Sequence, residues 1–168
     1  DVIPIPGTAA NLALVRVEYS EGDPDIYIMP GSIAVGEAAD KLLAEAPDLV
    51  FARIHVHDGQ NGVLYSAVWD RQFADVLLGA ITRRRRIRGR SGELIGSHTR
   101  AFRRLWGPDR PSLKSSVLRA DQRNTSIAFG DRFVLKLFRR IEPGMNPEVE
   151  ISTFLAQNGF RNTPQVGG

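Results

Sequence analysis

The sequence has no cysteine, which excludes a disulfide framework, a zinc–thiolate centre and a cysteine nucleophile. A reducing cytoplasm is therefore the expected compartment. No apolar run approaches the length needed to cross a bilayer, so no membrane span is expected. The opening residues show no basic, hydrophobic, small-residue leader, and neither an internal repeat nor a low-complexity segment interrupts the chain. Acids are nearly missing from one stretch. Between Arg83 and Arg104 stand nine arginines and a single acid, Glu93, so this stretch carries +8 and the remainder −5 of the whole chain's +3.

What is present is ordinary for a globular protein: 168 residues, 42% hydrophobic and 24% charged, enough for one domain or one and a part. Leu12–Tyr19 and Asp25–Met29 mix apolar and polar residues as half-buried strands do, with EGDPD as the turn between them. Gly36–Ala46 has apolar residues at helical spacing and stops before Pro47. Two further strands are expected over Leu49–His57 and Gly62–Trp69. Asp70 then caps a helix whose Phe73, Val76, Leu77, Ala80 and Ile81 form one stripe. After a joint at WGPDRP (Trp106–Pro111), Ser115–Arg119, Thr125–Phe129 and Arg132–Arg139 read as a meander of three strands, the last two joined by Gly130-Asp131. Ile141–Asn146 reads as a loop. Pro147 suits the first turn of a helix that runs through Val149–Asn158 to Gly159. The fold class expected is α+β.

The run FVLKLFRR, Phe133–Arg140, places a lysine inside a strand that is apolar on both faces. Val134, Lys136 and Phe138 share one side, and Phe133, Leu135 and Leu137 share the other. Burying an ammonium costs several kcal/mol unless it is paired, and the following helix offers two carboxylates, Glu148 and Glu150. Either could lie near the inward face; Glu150 is the preferred partner. The simpler reading of Lys136 is an edge-strand lysine that reaches water and discourages aggregation. For the glutamates it is that acids suit the first turn of a helix.

This order of strands, lysine and glutamate resembles the small lobe of a kinase-like fold. There the third-strand lysine holds the α- and β-phosphates of a nucleotide and a helical glutamate pairs with it. On that reading Lys136 binds ATP phosphates, Glu150 (or Glu148) pairs with it, and Val134 lies against adenine. The loop ADQRNT has no glycine, so phosphate would be held by backbone N–H groups with Gln122, Asn124, Thr125 or Ser126. Asp121, Gln122 and Arg123 also read as ordinary loop polars, and only their place before the hairpin argues otherwise.

The run LRADQRNTSIAFGDRFVLKLFRRIEPGMNPEVEISTFLAQNGFRNTP, together with GEAADKLLAEAPDL, GVLYSAVWD and TRAFRRL, resembles the bacterial maltokinases and the matching region of trehalose synthase–maltokinase fusions. The resemblance implies Mg²⁺-dependent transfer of the ATP γ-phosphoryl group to the 1-hydroxyl of maltose, feeding maltose 1-phosphate into α-glucan synthesis. It also implies a cystatin-like cap, a curved antiparallel sheet with helices, over residues 1–110, and the start of the kinase small lobe over 111–168. The family's opening Arg-Trp-Phe-Gly segment is absent, so the chain is expected to begin inside the cap. The catalytic aspartate, the Mg²⁺ ligands and most of the sugar site belong to a large lobe expected beyond Gly168. No catalytic residue is therefore assigned within these residues, and they are expected to be inactive alone.

Two other readings compete. His55, His57 and Asp58 could suggest a metal, but the same residues suit a solvated strand end, and no metal site is assigned. The segment Arg83–Arg104, with Phe102 and Trp106 nearby, has the composition of a nucleic-acid site. It could instead belong to a module that tethers trehalose synthase. Several of its arginines also follow a helix C-terminus, where the helix dipole favours cations, and the enzyme reading is preferred over nucleic acid.

Overall fold

Leu12 and Leu14 point into the core from a strand whose next residues, Val15 and Arg16, face solvent. From such local patterns the computed structural model builds a mixed α+β fold of antiparallel sheets and four helices. It describes residues 1–56, 59–118, 124–160 and 162–168. The larger sheet has the order β1 (Val2–Pro4), β2 (Asn11–Val17), β3 (Asp25–Val35), β5 (Asn61–Ser66), β4 (Val50–His55). Helix α1 (Glu37–Glu45) leaves β3 and ends at Ala46, before Pro47.

Strand β3 runs six residues past the Met29 at which its sequence reading stops, straight through Pro30. The reason lies in its partners. One edge of β3 pairs with β2; the other pairs with β5 from Gly31 onward and with a short strand β11 (Arg140–Ile141) at Ile26 and Tyr27. The Ile28 N–H donates to the Arg139 carbonyl on this second edge. Pro30, two residues on, falls in the gap between β11 and β5, where its missing N–H removes no ladder bond. The expected loop at Ile141 is thus partly strand, and it ties the end of the lysine-bearing segment to the first sheet.

One further expectation is corrected. The strand expected to reach Trp69 ends at Ser66, and Ala67–Trp69 forms a 3₁₀ turn that leads into helix α2 (Arg71–Arg83). The Asp70 side chain caps α2 as expected, accepting from the Gln72 N–H at 2.8 Å. The arginine-rich stretch, to which no element was assigned, contains the hairpin β6 (Arg86–Arg88) and β7 (Glu93–Ile95) and the short helix α3 (Phe102–Trp106). Buried Ile87 accounts for the hairpin's place, since it inserts into the core while the arginines on either side stay exposed.

Helix α2 is buried on more than one stripe. Phe73, Leu77 and Ala80 join the core beneath the large sheet, whereas Ala74 and Leu78 pack against Ile127 and Phe129 of β9. The smaller sheet has the order β10 (Phe133–Phe138), β9 (Asn124–Phe129), β8 (Ser115–Leu118). Its inner face meets α2 and α3, so elements on both sides of residue 110 share one core. The segment read as a joint is held by the Trp106 indole N–H, which donates to the Pro111 carbonyl at 3.0 Å. Helix α4 (Pro147–Gln157) closes the described fold and has no fully buried residue. No helix of the described residues is long and apolar enough to cross a membrane.

Candidate functional site

Register decides which of the expected site residues can meet. Lys136 lies directly opposite Ser126, Val134 opposite Ala128, and Phe138 opposite Asn124. Residues paired in this way face the same side of a sheet, so Asn124, Ser126, Val134, Lys136 and Phe138 share one face. Thr125 is on the other. It is buried, and the Arg139 guanidinium reaches its hydroxyl at 3.4 Å. Thr125 therefore cannot share a phosphate with Lys136. Gln122, Asp121 and Arg123 lie outside the described residues, as do His57 and Asp58. His55 is exposed at the end of β4.

The strand bearing Lys136 is an edge of its sheet; β9 is the central strand of the meander. Lys136 is therefore not on the middle strand of the meander: β9 and β10 are joined by a tight turn, and β8 takes the far side of β9. The free edge of β10 opens onto a cleft of about 890 Å³. Phe133 and Leu135 line it from one side of the strand, Val134, Lys136 and Phe138 from the other, and Glu148, Val149 and Ser152 from α4. Its far wall includes Phe102 and residues Pro164–Gly168.

Within the cleft the Lys136 ammonium donates to both oxygens of Glu148, each at 2.8 Å. It also stands 5.6 Å from the centre of the Phe138 ring, near enough for a cation–π contribution. The side chains of Lys136 and Glu148 are 33% and 54% exposed, so the pair is reachable by a ligand. Glu150, the partner preferred from sequence, is exposed and makes no ion pair among the described residues. Helix periodicity explains the outcome. Residues two apart point in widely different directions, and the geometry of the N-terminus aims the earlier one at the sheet. The Asn146 side chain accepts from the Glu148 N–H at 2.9 Å, with Pro147 at the first helical position.

Asn146 is thus a positioning residue that was not singled out from sequence, although Asn-Pro ahead of an apolar helix is a start signal from which Glu148 could have been counted. A second unanticipated feature supports β10 from behind. Phe133 stacks on Phe102 with ring centroids 4.9 Å apart, and Phe102 stacks on His98 at 5.2 Å. No local pattern announces a contact across 31 residues of chain.

Among the described residues there is no group of three or more His, Asp or Glu suited to a metal ion. No family model matches the chain.

Proposed function

We propose that the Lys136–Glu148 pair is a grip for the phosphates of ATP and that the chain contributes this grip to the phosphorylation of maltose. The observation that carries the reading is the two-point contact of Glu148 with Lys136 at the mouth of a cleft. A lysine held by both oxygens of one carboxylate is oriented yet accessible, and its two charges offset each other until a phosphate arrives. The cleft volume falls within the range of small-molecule sites, about 300–1,000 Å³. Val134 on the same face, 62% exposed, supplies an apolar surface for a base, and Ser126 a hydroxyl opposite the lysine.

The finer fold reading follows the same line. The large sheet with α1 and α2 corresponds to a cystatin-like cap over residues 1–110, and β8–β10 with α4 to the start of a kinase-like small lobe over 111–168. ATP with Mg²⁺ supplies the transferable phosphoryl group and its charge neutralisation. This chain's part is to hold and orient phosphate oxygens through Lys136, with Glu148 fixing the ammonium. General-base and metal-ligand functions are not assigned to any described residue, so these 168 residues are not expected to phosphorylate maltose by themselves. Trehalose synthase, which the family resemblance associates with such kinases, is a proposed partner.

The test is a titration of the chain with a non-hydrolysable ATP analogue and Mg²⁺, followed by NMR. Saturable shifts centred on β10 and the first turn of α4, abolished in Lys136→Met, are expected. Shifts elsewhere, or an unchanged titration in Lys136→Met, would refute the grip.

A further inference from the structure

We infer that the concave basic surface between the end of α2 and the start of α3 binds a small anion carrying two or more phosphate groups. This surface is separate from the Lys136 cleft. It encloses about 500 Å³ and is lined by Arg83, Arg84, Arg100 and Arg103 together with His98, Thr82 and Thr99. The lining includes no aspartate or glutamate. Arginines elsewhere find acids: Arg86 meets Glu93 at 3.0 Å, and Arg140 meets Asp25 at 3.0 Å. None of the four arginines of the bowl forms an ion pair among the described residues. Four guanidiniums gathered in a concavity repel one another and concentrate anions from solution. Their planar forks match phosphate oxygens two at a time.

Capping of α2 does not explain them. The Arg84 and Arg85 backbone N–H groups already satisfy the Ile81 and Ala80 carbonyls at the helix end. Arg84 itself adopts φ 50 and ψ 45, a left-handed conformation where glycine is the least strained residue and a β-carbon costs about 1–2 kcal/mol. A long cationic side chain nevertheless occupies it, and its guanidinium reaches the His98 carbonyl at 3.4 Å.

The bowl is also built, since its two walls come from separate segments held together by backbone contacts. The Gly96 N–H donates to the Arg85 carbonyl at 2.8 Å, and the segment passes so close to α2 that a β-carbon at Gly96 would overlap the Ala80 carbonyl. Thr99 is then fixed twice, its N–H donating to the Gly167 carbonyl at 2.8 Å and its hydroxyl to the Val166 carbonyl at 2.9 Å. A concavity of this size suits a compact polyanion. A nucleic-acid strand would need charge continued along a track, whereas the neighbouring Arg86 is already paired with Glu93.

The experiment is isothermal titration of the whole chain with inorganic pyrophosphate at constant ionic strength. One site per chain is expected in the native protein and in Lys136→Met, which removes the cleft lysine. In the double variant Arg100→Ala/Arg103→Ala, whose side chains are exposed and whose circular dichroism should match that of the native chain, affinity should fall at least about tenfold. Arg88→Ala, on β6 outside the bowl, should bind as the native chain does. Three results would overturn the inference: no saturable binding at millimolar pyrophosphate, equal losses in Arg88→Ala and the double variant, or binding that disappears in Lys136→Met. Tighter binding of a single-stranded oligonucleotide, equally dependent on Arg88 and Arg100, would assign the surface to nucleic acid and overturn it as well.

Discussion

The side-chain oxygen of Asn146 accepts the backbone N–H of Glu148 at 2.9 Å, so the residue that starts α4 also aims the carboxylate that holds Lys136. Helix α4 buries no residue fully, and its position depends on such end contacts more than on packing. Asn146→Ala should cost about 1 kcal/mol of stability, the usual value of a lost N-cap, measurable as a lowered urea midpoint. It should also broaden the NMR signals of residues 147–150. An unchanged midpoint and unchanged signals would show that the cap does not govern this turn.

For the pair itself, stability and binding should separate. Both side chains are substantially exposed, so screening limits their mutual contribution to about 0–1 kcal/mol. Glu148→Gln should therefore melt within a few degrees of the native chain yet weaken Mg²⁺–ATP-analogue binding severalfold, because the ammonium is no longer oriented. Glu150→Gln and Arg139→Ala are the controls, the first directed away from the lysine and the second on the opposite sheet face; both should bind normally. Equal weakening by Glu148→Gln and Glu150→Gln would point to a diffuse charge effect.

Tyr19 offers a prediction at alkaline pH. Its hydroxyl lies 3.2 Å from that of Tyr27 and donates to Asp25 at 3.0 Å. The hydrogen bond with Tyr27, then that with Asp25, hold its ionisation well above the usual tyrosine value. Because the folded value is raised, this group's stabilising contribution is complete below the unfolded pKa and is lost as pH rises through the folded one. A spectrophotometric titration should show Tyr19 ionising above the usual tyrosine range, and Tyr27→Phe should bring it back toward that range. Ionisation of Tyr19 within the usual tyrosine range would contradict the network.

Much of this arrangement was legible in the sequence because it rests on local signals. Asp70 ahead of an apolar stripe marked α2, Gly130-Asp131 marked the β9–β10 turn, and alternation placed Val134, Lys136 and Phe138 on one face and Arg139 on the other. What escaped depends on partners distant in the chain. Pro30 reads as a strand end, and only the gap between β11 and β5 lets β3 continue through it. Ile87 among arginines looks like part of a solvated run until the core receives it. The choice between Glu148 and Glu150 turned on a cap, which is local, and counting from Asn146 would have favoured Glu148.

The shared core leads to a last prediction, about how the chain unfolds. Phe129 on β9 is fully buried in a cluster that takes Ala74 and Leu78 from α2 and Phe102 from α3. Leu135, from the lysine strand, packs against this cluster and also against the one beneath the large sheet. A side chain so placed belongs to both ends of the chain at once. Phe129→Ala should therefore cost about 3–5 kcal/mol, the transfer free energy of the ring plus the cavity left behind. The loss should appear in a single transition: far-UV circular dichroism, which reports all elements, and tryptophan fluorescence, which reports Trp69 and Trp106, should shift together and keep the same midpoint. If residues 1–110 instead unfolded as a unit of their own, the substitution would split the transition, lowering the step that involves β8–β10 and leaving the fluorescence of Trp69 where it stands in the native protein.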